Sequence, residues 1–216
     1  IAIYMPMVPE VAAAFLAMIT DAGGRAIACV GNAASAAEIA SSAARTRKEL
    51  GPITILVNNA GITGFKRFEE ITEEEMDRMM DINIKGPFLC TQAIIPDMVA
   101  ANWGRIVNIS SSSAQTGAPM MAHYATSKGG VIAFTKTLAR EYAEKGITVN
   151  NIPPGFVDTP MLRASPVDVD AQAANSPMKR AGRPEDIATA CSYLVSEAAC
   201  YVTGHTMGVN GGRVMP

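Results

Sequence analysis

Nothing in this sequence concentrates charge: 18 basic and 20 acidic residues are spread along 216 positions, for a formal charge of −2. A chain without a basic stripe lacks the electrostatic footprint of nucleic-acid binding, so nucleic acid is not expected as a partner. Long apolar runs are missing too. A membrane span needs about 20 consecutive, predominantly apolar residues, and the longest charge-free stretch, Ile106 to Ser127, is laced with Ser, Thr, Gln, Asn and Gly. Pro6, Pro9 and Glu10 interrupt any apolar leader. Histidine is scarce (His123 and His205), and Cys29, Cys90, Cys191 and Cys200 form no Cys-x-x-Cys pair, so no metal framework is expected. The cysteines read as small apolar residues in a reducing compartment. The one sequon, Asn108-Ile109-Ser110, falls at the end of an expected buried strand. A cytoplasmic protein is the expectation.

Apolar residues make up 49% of the chain and charged ones 18%, enough for a sizeable core and too apolar for disorder. Short β-branched runs alternate with longer helical patterns. Ile1–Tyr4, Arg25–Val30, Ile53–Val57, Arg105–Ile109, Ile147–Ile152 and His205–Val209 read as strands. Val11–Ala22, Ala36–Leu50, Glu73–Ala101, Tyr124–Glu144 and Glu185–Val195 read as helices. Thr72-Glu73-Glu74-Glu75 has the form of a capping box, and Pro184 marks another helix start. This alternation predicts an α/β fold: a doubly wound, Rossmann-like parallel sheet in a single domain spanning residues 1–216. Such sheets bind ligands beyond the carboxyl ends of their strands.

Asn58-Asn59-Ala60-Gly61 follows one strand; small residues there let a ligand approach the backbone, though an ordinary strand-to-helix turn would look the same. Ser110-Ser111-Ser112-Ser113 follows another strand, and Tyr124 and Lys128 come after it, four apart on one helix face. That spacing brings the ammonium near enough to lower the phenol's pKa. A phenol so tuned can give a proton to a carbonyl or take one from an alcohol. By itself the pair is common, and a tyrosine packed beside a solvated lysine fits it equally.

The motifs in sequence are more specific than any one of them. Asn-Asn-Ala-Gly, Asn83 within Asp81–Gly86, a serine thirteen residues before Tyr124, Tyr-x-x-x-Lys, Pro154-Gly155-Phe156-Val157-Asp158-Thr159, Gly182–Ala188, Thr203-Gly204 and Val209–Gly212 occur in one order. In this the chain resembles the short-chain dehydrogenase/reductase family over nearly its whole length. The resemblance implies an NAD(P)-dependent oxidoreductase that interconverts a ketone and a secondary alcohol by hydride transfer. It makes Tyr124 the acid/base and Lys128 the group that tunes it and holds the nicotinamide ribose. Ser111 becomes the hydroxyl on the substrate oxygen, and Asn83 the holder of a water in a proton relay. Asn59, Ala60 and Gly61 would line the adenosine side, with Asn32 near the adenine. Pro154, Gly155, Val157 and Thr159 would contact the nicotinamide carboxamide.

One part of the family pattern is missing. No Gly-x-Gly-x-x-Gly occurs, and Ile1–Tyr4 aligns with the family's second strand rather than its first. The expectation is that a strand and glycine-rich turn, on the order of 30 residues as in a βα unit, is absent from this sequence, and that its strand would lie in the middle of the sheet. The position that often carries Asp for NAD falls near Met5, which favours NADP over NAD. Residues around 160–182 resemble a substrate lid, and Phe156, Met161, Met120 and Met121 are candidates for an apolar pocket. His123 reads as a structural or solvated histidine. Asn58–Thr63 and Gly208–Gly212 resemble 3-oxoacyl thioester reductases, with sugar, polyol and steroid dehydrogenases as alternatives. The partners implied are a small carbonyl or alcohol substrate, which an acyl thioester would satisfy, and three further copies of the chain in a homotetramer. The rival reading from another class is a dinucleotide-binding sensor or scaffold without chemistry.

Overall fold

A computed structural model describes residues 2–4 and 16–215 of the chain. Four strands, β1 (Ala2–Tyr4), β2 (Ile55–Asn58), β3 (Gly104–Ile109) and β4 (Ile147–Ile152), form one parallel sheet in that order. Parallel neighbours need crossovers, and helices supply them. α1 (Ala36–Leu50) precedes β2; α2 (Glu73–Met80) and α3 (Gly86–Ala101) lead to β3; α4 (Ser113–Thr116) and α5 (Ala122–Tyr142) lead to β4. After β4 come α6 (Pro160–Arg163), α7 (Val169–Asn175) and α8 (Pro184–Val195).

Local chemistry sets these boundaries. The Ser35 hydroxyl accepts from Glu38 N at the start of α1, and Gly51 at φ 92° ends it beyond Arg47 and Lys48. Thr72 and Glu75 close the expected capping box on α2. Pro184 opens α8, where the Asp186 carboxylate accepts from Arg183 N. Arg180 holds that carboxylate at about 2, with the Arg183 amide adding to the effect.

The strands read as nearly continuous apolar runs because both sheet faces are covered. On one face Leu56, Ile106 and Val149 pack with Ile39 of α1, Ile94 and Met98 of α3 and Leu138 of α5. On the other, Val107 and Ile152 pack with Leu194 of α8. Asp97 of α3 ties the first layer together, accepting from Arg47 Nε at 2.9 Å and from Ile53 N at 2.9 Å.

Several boundaries differ from the sequence reading. Arg25–Val30 forms no strand, and Val30 is fully exposed. β1 pairs directly with β2, in register Ala2↔Leu56 to Tyr4↔Asn58. His205–Val209 runs parallel to β4 but forms only isolated bridges rather than a ladder, Asn151↔Thr206 and, beyond the strand's end, Pro154↔Val209. Asn151 N donates to His205 O and Asn151 O accepts from Met207 N, after which Pro153 and Pro154, lacking N–H groups, break the ladder. The expected helix Val11–Ala22 is helical over 16–21, while residues 5–15 lie outside the described structure, as does Met5.

The long helix expected over Glu73–Ala101 is interrupted by one wide π-turn, Asp81–Lys85, in which Gly86 N donates to Asp81 O. The apolar residues of α5 divide: Val131 and Leu138 are core, whereas Phe134 meets the half-exposed Phe88 with ring centroids 5.8 Å apart.

Candidate active site

The π-turn matters because π-bulges re-aim single side chains. Here Asn83 is turned wholly inward. Its Oδ1 accepts from Ile62 N at 2.8 Å, and its Nδ2 donates to Ile62 O at 2.9 Å and Ser127 Oγ at 3.0 Å. The segment after β2 is thereby fixed to α5. A Cβ on Gly61 would lie 3.0 Å from Lys128 Nζ and 3.1 Å from Asn83 Oδ1, so any larger residue would crowd both.

Lys128 is buried, and its Nζ donates to Ile109 O at 3.0 Å. Burial lowers its pKa to about 8. The Tyr124 ring lies one turn earlier, its centroid 6.0 Å from Nζ. Burial raises the phenol above its usual value, and a hydrogen bond with Ser111 offsets part of the rise. The expectation that Lys128 would lower the phenol is thus corrected for the protein alone. One ammonium N–H is held by Ile109 O, and desolvation dominates at the tyrosine.

Ser111 accepts from Ser113 N at 3.2 Å and Ser113 Oγ at 2.8 Å. With both lone pairs engaged, its one O–H is left to donate. Ser110 and Ser112 are buried beside it. Pro154 O accepts from Ser112 N at 3.0 Å and Gly155 N donates to Val209 O, so the loop after β4 stands next to the serine loop. A Cβ on Gly155 would come within 2.9 Å of Asn210 Cα. Val157 bridges to Gly182, and the Thr159 hydroxyl caps α6 by accepting from Leu162 N.

Of the residues expected at the far end of a dinucleotide, Ala60 lines a small void with Ala33, Asn58, Gly86, Pro87 and Cys90, whereas Asn59 and Asn32 are not among its lining residues. Asn32 is exposed, and its amide oxygen accepts from Ala34 N. Three participants were passed over in the sequence: Ser113, which orients Ser111; Ser127, which holds Asn83; and Gly64, whose added Cβ would lie 2.6 Å from the Nε2 of buried His123. Ser113 and Ser127 sit inside segments already singled out, so their spacing was readable. Gly64 carried no signal.

These residues fit the nicotinamide-ribose end of a dinucleotide: a backbone cradle at Gly61 faces a buried ammonium with N–H groups to spare. No Gly-x-Gly-x-x-Gly turn for the pyrophosphate end occurs in this sequence.

A parallel sheet with a serine, tyrosine and lysine gathered beyond its strand ends defines a nicotinamide-dependent oxidoreductase. The family model described as Enoyl-(Acyl carrier protein) reductase matches residues 4–213, and the chain belongs to this family of short-chain dehydrogenases/reductases. It is 42% identical to Nodulation protein G of Azospirillum brasilense, covering 94% of this chain and 83% of that one. Identity is 40% to a 3-oxoacyl-[acyl-carrier-protein] reductase of Synechocystis, covering 94% and 81%, and 40% to an acetoacetyl-CoA reductase of Cupriavidus necator, covering 88% and 77%. A gluconate 5-dehydrogenase from Burkholderia cenocepacia, solved in complex with NADP and tartrate, superposes with a TM-score of 0.89 at 30% identity over 97% of this chain and 84% of that one. These relatives support the enzyme and a nicotinamide dinucleotide cofactor, and give the sensor or scaffold reading no support. Among the described residues no helix is long and apolar enough to cross a membrane.

Proposed function

We propose that this chain reduces a 3-oxoacyl thioester to its 3-hydroxyacyl form with NADPH, and that Ser111, Tyr124, Lys128 and Asn83 carry the reaction. The observation that carries this reading is the gathering of Ser111, whose hydroxyl interacts with Tyr124, beside a buried lysine and a glycine cradle. The substrate oxygen sits between the two hydroxyls. Ser111, its lone pairs filled by Ser113, donates to it and steadies developing charge. Tyr124, a phenol kept protonated by burial, gives its proton to that oxygen. Lys128 holds the nicotinamide ribose. Asn83 holds a water through the second lone pair of Oδ1, which faces Gly61, and so passes a proton back toward Lys128. The nicotinamide, when bound, supplies the hydride. Pro154, Gly155, Val157 and Thr159 orient its ring, and Asn32, Asn59, Ala60 and Gly61 line the adenosine side.

NADP is favoured because Met5 offers no carboxylate to repel a ribose phosphate, and because the gluconate 5-dehydrogenase structure holds NADP. Helices α6 and α7, within residues 160–182, act as a lid that excludes water. The protein works as a cytoplasmic homotetramer, with the Phe88–Phe134 face between subunits. A sugar acid is the second reading, favoured by that same dehydrogenase. The test is NADPH and NADH oxidation with acetoacetyl-CoA and with 5-ketogluconate, in wild type and Tyr124→Phe. Turnover by the wild type on the thioester, lost in Tyr124→Phe while cofactor binding persists, is the expected result. Equal turnover by both proteins would overturn the assignment of Tyr124.

A further inference from the structure

A groove of about 610 Å³ opens between α7, Phe156 and the turn that follows Val209. Its charges are unequal. Arg180 is neutralised by a two-pronged contact with Asp186 at 2.7 and 3.0 Å. Arg213 has no carboxylate against it among the described residues: its guanidinium stacks on the Phe156 ring at 4.1 Å and reaches Gln172 Oε1 only at 3.4 Å. The turn presenting it is built for the purpose. Gly211 and Gly212 take φ of 64° and 81°, and Asn210 Oδ1 accepts from Gly212 N and Val214 N. Phe156 belongs to the loop whose neighbour Pro154 contacts the serine segment, and Gln172 belongs to the segment proposed as the lid. A cation presented on an aromatic ring with no counter-charge, in a groove wide enough for a ligand, suits an oxyanion.

We propose that this groove seats an anionic group, phosphate or carboxylate, at the end of the substrate remote from its carbonyl, and that Arg213 is its principal ligand. The proposal rests on the oxidoreductase reading of the neighbouring loop but concerns binding, so the two can fail separately. Calorimetric titration of 4′-phosphopantetheine, gluconate and uncharged pantetheine into wild type, Arg213→Gln and Arg213→Lys decides it. One of the two anions is expected to bind wild type, to weaken about tenfold or more in R213Q, as loss of a charge-assisted hydrogen bond implies, and to recover in part in R213K. Which anion responds identifies the source. Pantetheine should not distinguish wild type from R213Q. Absence of anion binding to wild type, unchanged affinity in R213Q, or an equal loss for pantetheine would overturn the proposal. Thermal unfolding of R213Q reports whether it folds. If it does not, wild type still decides, because equal binding of 4′-phosphopantetheine and pantetheine with none of gluconate refutes an anion site. Turnover is read apart from this: no NADPH oxidation on any carbonyl substrate would sink the catalytic reading and leave anion binding standing.

Discussion

Replacing Lys128 with methionine should make this protein more stable at neutral pH while removing turnover. The lysine is 5% exposed, and burial lowers its pKa from 10.5 to about 8. Below about pH 8 the folded and unfolded chains both carry the proton, and the whole cost of burying the charge is present. Between about 8 and 10.5 the folded chain has released its proton and the unfolded chain has not, so stability rises with pH by on the order of 3 kcal/mol. Lys128→Met fills similar space and removes that cost at pH 7, but it forfeits the bond to Ile109 O, a loss of roughly 1.5–3 kcal/mol for a charged donor. The net is a gain of about 1 kcal/mol at pH 7, or about 2–4 °C in Tm for a chain of this size. Above pH 10.5 only the lost hydrogen bond remains, and the variant should be the less stable of the two. Urea unfolding of both proteins from pH 6.5 to 10.5 measures the difference, and other titrating groups cancel in it. A difference that stays constant with pH, or a variant already less stable at pH 7, would refute the assignment of a costly buried charge.

Gly64→Ala places a methyl 2.6 Å from His123 Nε2 and 3.4 Å from Met79 Cε, so the ring ahead of Tyr124 has to move. The expected cost is about 1–3 kcal/mol with a fall in kcat, read by thermal unfolding and steady-state kinetics; an unchanged Tm and kcat would contradict the packing. Because burial raises the Tyr124 phenol, the reductive kcat/KM should be flat through neutral pH and the oxidative one should climb toward alkaline pH. Oxidation that peaks at neutral pH and falls by pH 9 would show that Tyr124 is not the titrating group.

Segments carrying their own local signal were legible in the sequence. The Thr72–Glu75 box and Pro184 before α8 fix helix starts through bonds made within a few residues. The parallel class followed from strands buried on both faces. What the sequence withheld depends on partners far along the chain. Arg25–Val30 has strand-like residues but pairs with no strand among the described residues. His205–Val209 has a neighbour whose prolines cannot donate. The π-turn at Asp81–Lys85 leaves the helical period almost intact, so only the inward Asn83 betrays it. At the site, Tyr124, Lys128 and Ser111 were singled out by spacing together with the family resemblance. The direction of the phenol's shift was missed, because spacing places a charge and says nothing of how much water surrounds it.

The site's three loops owe their relative heights to one transverse row of the sheet. Asn58, Asn108 and Asn151 are register partners across β2, β3 and β4. Counting three residues onward from each gives Gly61, Ser111 and Pro154, so the cradle, the substrate hydroxyl and the cofactor loop leave the sheet from the same level. Asn58 Nδ2 donates to Asn108 Oδ1 at 2.8 Å, and Asn108 Nδ2 donates to Thr135 Oγ1 at 2.9 Å. Thr135 lies on α5, seven residues, about two helical turns, beyond Lys128. The same buried chain therefore ties strand register to the helix that carries the tyrosine and the lysine. A slip of one residue in β3 would turn Asn108 to the opposite face and cost Asn58 and Thr135 one buried hydrogen bond each, leaving them only Thr91 Oγ1 and Val131 O, a penalty that an apolar row would not impose. Buried amides at this level make the alternative registers costly, and a site assembled from three separate loops requires that only one register be populated.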